Sequence, residues 1–317
     1  MLNASSLQYL RLETLDLSSA QQYLTFTFSI IIYLLTVTFN MLVFMTIVFT
    51  KKLHKPMFLL LLNLPISDTI GATAFFPNFL SVIATRSSLI TYQACVTQAF
   101  MIHFYGTASS LILSAMAYDR YVAICSPLQY NTVMSPHSLI RLVVAVWLVS
   151  LLLIGTLFIL LGRLTLCRRD IVDLYCNNPS LLKLACEDTS VNNYYGLFFI
   201  VILQGGPLLL ITVTYAQILR TCVSSNSSSS RRKALQTCGS HLVVFLILEI
   251  NTLVTLLAHR IGSASAVMRR FLGVSVVTFP PLLDPILYGL KITELKECIA
   301  MFLKKNFVKR KVRRNNG

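Results

Sequence analysis

Seven apolar stretches, each long enough to cross a lipid bilayer, constrain this chain more than any other feature. They cover Tyr23–Phe49, Pro56–Ile83, Ala94–Tyr118, Leu142–Gly162, Tyr194–Leu219, Ala234–Ala258 and Phe271–Leu290. A spanning helix needs ~20 largely apolar residues, whereas a spanning strand needs ~9–11. The stretches are roughly two to three times strand length, which predicts an all-α membrane protein built as a seven-transmembrane helix bundle. Composition agrees. The 317 residues are 55% hydrophobic and 12% charged, about half the ~25% charge of a soluble protein.

A net charge of +15 could point to nucleic acid, but the basic residues sit in short blocks between apolar runs. That is how membrane topology is written, so no nucleic-acid partner is expected. Of the 27 lysines and arginines, 18 fall on one side, among them Lys51, Lys52, Lys55, Arg141, Arg231, Arg232 and nine from Lys291 to Arg314. The positive-inside rule puts that side in the cytoplasm and the amino terminus outside the cell. Residues 1–22 then form an extracellular segment without a cleaved signal peptide. Residues 23–290 form the bundle, and 291–317 a cytoplasmic tail. Asn3-Ala4-Ser5 fits the N-glycosylation pattern and lies on the side where glycans are added. Leu295, Ile299 and Phe302 recur at i, i+4 and i+7 beside Lys296, Lys304 and Lys305. That pattern predicts a short amphipathic eighth helix on the membrane lipid, followed by a basic tail. Cys298 there is either palmitoylated or a free thiol.

The chain shows no phosphate-binding glycine loop, no metal-spaced Cys/His cluster and no nucleophile elbow, so neither enzyme activity nor a cofactor or metal is expected. Four of its eight cysteines, Cys95, Cys167, Cys176 and Cys186, fall on the oxidising side, where three pairings are open. Carboxylates inside spans are costly, so Asp68, Glu249 and Asp284 should face the bundle interior. Pro207 and Pro285 mark points where helices bend.

The third stretch closes on Met116-Ala117-Tyr118-Asp119-Arg120-Tyr121-Val122-Ala123-Ile124-Cys125. Arg120 is always charged and carries five donors, so Asp119 or a cytoplasmic partner must satisfy it. By itself the pair also fits an ordinary membrane-edge ion pair. The wording of the ten residues resembles the third-helix signature of odorant receptors, a branch of the rhodopsin-like G-protein-coupled receptors. Leu53-His54-Lys55-Pro56-Met57-Phe58 is similar to that family's lead into the second helix, and Lys233-Ala234-Leu235-Gln236-Thr237-Cys238-Gly239-Ser240-His241 to the start of the sixth. Thr214-Tyr215 resembles the fifth-helix Ser-Tyr pair, and Pro280-Pro281-Leu282-Leu283-Asp284-Pro285-Ile286-Leu287-Tyr288 the seventh-helix Asn-Pro motif. Asp284 for the usual Asn, together with Gln236, looks like a fish-type odorant receptor. The chain also departs from the pattern: Phe39 replaces a Gly, Pro65 a Ser, Ser109 an acid and Glu249 an aromatic. The last two weaken the case for a family-style sodium site.

The resemblance implies disulfides Cys95–Cys176 and Cys167–Cys186. It also implies a small-molecule odorant as ligand, a stimulatory olfactory-type G protein as partner, and cyclic AMP as output. On the ligand side, His103, Gly106, Thr107 and Ser110 share one face of the third helix at i, i+3, i+4 and i+7. Phe199, Ile200 and Leu203 should face them from the fifth helix, and Thr252, Leu253 and Leu256 from the sixth, with Glu249 at the floor. Mostly apolar lining with a few polar groups suits a small organic ligand. The apolar members also fit plain helix packing, and His103 a satisfied structural role. Ile102 stands where amine receptors carry an acid, which argues against a monoamine receptor. On the inner side Asp119, Arg120, Tyr121, Tyr215, His241 and Tyr288 are candidates for a switch, with Lys233 and Thr237 contacting the G protein. A non-olfactory receptor for a lipid or peptide shares this fold but lacks the Lys233-to-His241 wording, and unrepeated spans disfavour a transporter or channel.

Overall fold

The computed structural model describes residues 8–224, 228–260 and 265–315. Within them, 223–238, 240, 241, 244, 259, 260 and 305–315 are described by backbone only. The long helices are α1 (Ser19–Phe49), α2 (Pro56–Thr85), α3 (Tyr92–Cys125), α4 (Pro136–Leu161), α5 (Ser190–Cys222), α6 (Ser228–Arg260), α7 (Ala266–Lys291) and α8 (Thr293–Asn315). Among the described residues, six of these are long and apolar enough to cross a membrane, and α6 adds the apolar segment Phe245–Ala258. The chain is thus a multi-pass helical bundle.

Several helix starts were written as caps. Ser18 and Gln21 form a reciprocal capping box that starts α1 at Ser19 rather than at the expected Tyr23, satisfying two orphan N–H groups at once. Thr91, Ser135 and Ser265 cap α3, α4 and α7 through their side-chain oxygens. At the other end of α2, Arg86 adopts a left-handed conformation, φ 54°, which is costly for a residue with a Cβ. Its guanidinium compensates by fastening α2 to α1: Nε donates to Gln22 Oε1 at 2.8 Å and Nη2 to Ser19 Oγ at 3.1 Å.

Prolines organise the interior. A helical proline has no N–H, so the carbonyl four residues earlier loses its partner. For Pro285 that carbonyl is Pro281 O, and Asn40 Nδ2 of α1 donates to it at 2.7 Å. For Pro280 it is Val276 O, which takes the Tyr105 hydroxyl of α3 at 3.3 Å. For Pro207 it is Leu203 O, which lies 3.4 Å from Ser110 Oγ of α3, although that hydroxyl's single hydrogen goes to the nearer Glu249 Oε1. A π-helical turn over Val201–Gly205 widens α5 just before Pro207. The bends in α7 are therefore also polar ties between helices.

At the amino-terminal end the structure adds what the sequence reading lacked, a small sheet ordered β2-β1-β3. Here β1 is Tyr9–Leu12, β2 Leu89–Thr91 and β3 Asp170–Ile171. β1 pairs antiparallel with β2 and parallel with β3. Leu10 and Leu12, on one face of β1, are fully buried beside Cys95 and Cys176. At the tail end, α8 packs back on α1 and on the start of α2: Phe49 stacks on Phe302, and Lys55 Nζ, just before α2, bridges Glu294 Oε1 at 2.7 Å. Cys298 is a free thiol buried in the core cluster there. The helix continues through the basic stretch to Asn315.

Candidate functional site

The amino-terminal half of the bundle holds a cavity between α3, α5, α6 and α7. Its walls are Ile102, His103, Gly106, Thr107 and Ser110 from α3, then Phe199, Ile200, Leu203 and Gln204 from α5. Thr252, Thr255 and Leu256 of α6 and Val276 of α7 complete them. The space amounts to about 90 Å³, on a measure in which one water takes ~10–15 Å³. A small organic molecule fits.

Tyr175, Asn177 and Pro179 close the cavity from the loop between α4 and α5. That loop is pinned by two disulfides, Cys95–Cys176 to the head of α3 and Cys167–Cys186 within itself. Gln98 reinforces the first, accepting from the Cys176 N–H at 2.9 Å and donating to Ala74 O at 2.9 Å. Ser180 Oγ and Asn177 Nδ2 both donate to Asp173 Oδ2. Burial, and next the charge of Asp173, push the Tyr175 hydroxyl well above the ordinary tyrosine range. It therefore stays a neutral donor beside Gly273, where an added Cβ would come within 2.9 Å of Tyr175 Oη.

Nine expected ligand residues line this one cavity: His103, Gly106, Thr107, Ser110, Phe199, Ile200, Leu203, Thr252 and Leu256. Two do not. Leu253 follows Thr252 by one residue, a ~100° turn that carries it off the face shared by Thr252, Thr255 and Leu256. Glu249 is fully buried just behind the wall, and its partner is the Ser110 hydroxyl rather than His103 or Asp68. His103 has a structural engagement, since its Nε2 accepts the Asn178 N–H at 3.2 Å. The sequence reading missed Tyr175, Asn177 and Pro179, although they flank a cysteine tied to the top of α3. It also missed Gln204 and Thr255, which prolong faces it had already identified, and Val276 of α7, a helix it had not placed at the cavity.

At the tail end of α3, Asp119 is completely buried and both its oxygens are engaged. Arg120 donates to Oδ2 through Nη2 and through Nε at 2.8 Å, and Tyr130 donates to Oδ1 at 2.8 Å. Burial, then the Asp119 charge and hydrogen bond, hold the Tyr130 hydroxyl far above its usual range and keep it a donor. Tyr215 and Tyr288 are buried in the same core cluster, with Tyr121 packed against it. Asp68 and Asp284 are both buried, near enough for their charges to interact, and Ser67 bonds Ser109 at 2.9 Å beside them. The expected Asn3, and the side chains of Lys233, Thr237 and His241, lie outside the described residues.

Comparison with known proteins is consistent with this arrangement. A sequence model of a family described as olfactory receptor matches residues 28–306. Olfactory receptor 52B2 of Homo sapiens is 37% identical over 272 residues, covering 85% of this chain and 84% of its own. Olfactory receptor 1E16 of Mus musculus is 33% identical over 302 residues, 95% of each chain. The crystal structure of squid rhodopsin superposes with a TM-score of 0.75 at 18% identity, covering 92% of this chain and 87% of that one. That last likeness concerns the fold alone.

Proposed function

The chain belongs to the olfactory receptor family, and from that premise we propose that it is an odorant-activated receptor of the plasma membrane. Its cavity takes a small organic ligand, and its opposite end drives a stimulatory olfactory-type G protein and so cyclic AMP. In this reading the amino terminus with Asn3 is extracellular, residues 23–290 form the signalling bundle and 291–317 lie on the cytoplasmic face.

One observation carries the reading. A single helix, α3, walls a mostly apolar cavity at one end and carries a closed ionic latch at the other. Ligand and G protein that both prefer one bundle conformation must raise each other's affinity. In the conformation described here Arg120 is paired with Asp119, which Tyr130 also holds. Activation exchanges those contacts for others involving Tyr121, Tyr215, His241 and Tyr288, while Lys233 and Thr237 meet the G protein. Asp68 and Asp284 form the polar centre through which the two ends communicate.

The test is ligand-dependent cyclic AMP in heterologous cells. Arg120→Ala is expected to abolish the response while surface expression persists, because the change removes a switch group and leaves the apolar packing intact. A variant that signals at wild-type strength reduces Arg120 to an edge ion pair and overturns the latch.

A further inference from the structure

The polar groups around the cavity share a pattern that selects a ligand class. Three of the wall hydroxyls are already engaged: Thr107 Oγ1 donates to His103 O at 2.9 Å, Thr255 Oγ1 to Asn251 O at 2.7 Å, and Ser110 to Glu249. Among the fully buried side-chain atoms of the wall and floor, the two left without a partner are acceptors. Gln204 Oε1 and Glu249 Oε2 are buried without a hydrogen-bond partner. Gln204 lines the cavity, and Glu249 is held against its floor by Ser110, which also lines it. Their residues are 7% and 1% exposed, so bulk water serves neither. No lysine or arginine among the described residues lines the space.

Resting on the receptor reading above, we propose that the ligand class is a small alkylammonium whose head group sits on Glu249 and Gln204. A buried carboxylate is costly without a counter-charge, and a buried acceptor without a donor. An aliphatic amine, titrating like lysine near ~10.4, is cationic at neutral pH and brings up to three N–H donors together with the missing charge. A ketone or aldehyde brings another acceptor and leaves both oxygens unmatched. A carboxylate adds repulsion. An alcohol offers one donor and no charge. The alkyl tail then runs along Ile102, Phe199, Leu203 and Leu256, an apolar wall for a few methylenes. Because α3 carries Ile102 and no acid on this wall, the cation is held from α5 and α6.

The experiment uses matched straight-chain amines, N-trimethylated amines, alcohols, ketones and carboxylic acids on the full-length receptor. Thermal stabilisation of purified protein is read beside cyclic AMP in cells. The inference expects primary amines to stabilise and activate best, with trimethylation, which removes the N–H donors, weakening them. Glu249→Gln should lower amine potency by about tenfold or more, with a smaller loss in Gln204→Met, while surface expression is retained. Should Glu249→Gln not reach the surface, Gln204→Met and the trimethylated series decide alone. Stabilisation by amines without cyclic AMP supports the inference and contradicts the proposed coupling. Ketones, acids or alcohols acting more strongly than amines, or no amine effect at all, overturns it; in the former case the odorant-receptor reading stands.

Discussion

The two ends of α3 treat buried charge in opposite ways. At the tail end Asp119 has every demand met, with Arg120 on one oxygen and Tyr130 on the other. At the cavity floor Glu249 has one oxygen met by Ser110 and the other left without a donor, as is Gln204 Oε1. A fully satisfied network is rigid and specifies one arrangement, whereas a partly satisfied one gains stability from whatever completes it. The first arrangement suits a latch and the second suits a binding site. That contrast, rather than burial alone, distinguishes the two regions, since Asp119 and Glu249 are equally hidden from water.

The sharpest way to break the contrast is to take the roof off the cavity. Cys95→Ser removes the bond between the head of α3 and the loop carrying Tyr175 and Asn177. Loss of a native disulfide typically costs ~2–5 kcal/mol, so the variant is expected to be retained inside the cell, read as surface staining. Mass spectrometry showing Cys95 as a free thiol in active receptor contradicts the roofed cavity. Next in size is the packing that seats α3. The ring of Tyr105 lies against Gly71, where an added Cβ would fall 2.5 Å from it. Gly71→Leu should displace α2 from α3, costing ~1–3 kcal/mol by overpacking, and lower the melting temperature of purified receptor. An unchanged melting temperature means the two helices are free to separate there. The smallest effect is at the latch. Tyr130→Phe deletes one donor to Asp119, about 1 kcal/mol, and should raise ligand-free cyclic AMP a few-fold and ligand potency with it, since both follow the same shift in population. Unaltered basal signal would show that Arg120 alone holds Asp119.

The bundle was legible because its signals are long. Runs of about twenty or more largely apolar residues and a one-sided bias of lysine and arginine are read from sequence without tertiary information. The α3 face of the cavity was legible for the same reason, since His103, Gly106, Thr107 and Ser110 follow helical spacing. What escaped was set by contacts distant in sequence. Strand β1 is four residues long and has no apolar period to show until it pairs with β2 and β3. Gln204 enters the wall from within the π-helical turn over Val201–Gly205 that widens α5. The partner of Glu249 could not be chosen from spacing, since His103, Asp68 and Ser110 all lie on other helices. Only the packed structure selects Ser110.

The account stands on the two ends of α3 belonging to one two-state equilibrium. Affinity of an activating ligand, measured on the same membranes with and without nucleotide-free stimulatory G protein, tests that most directly. The account predicts tighter binding when the G protein is present, with the difference abolished in Arg120→Ala. Equal affinity in both conditions would contradict it, leaving the cavity and the latch as two unconnected features of one helix.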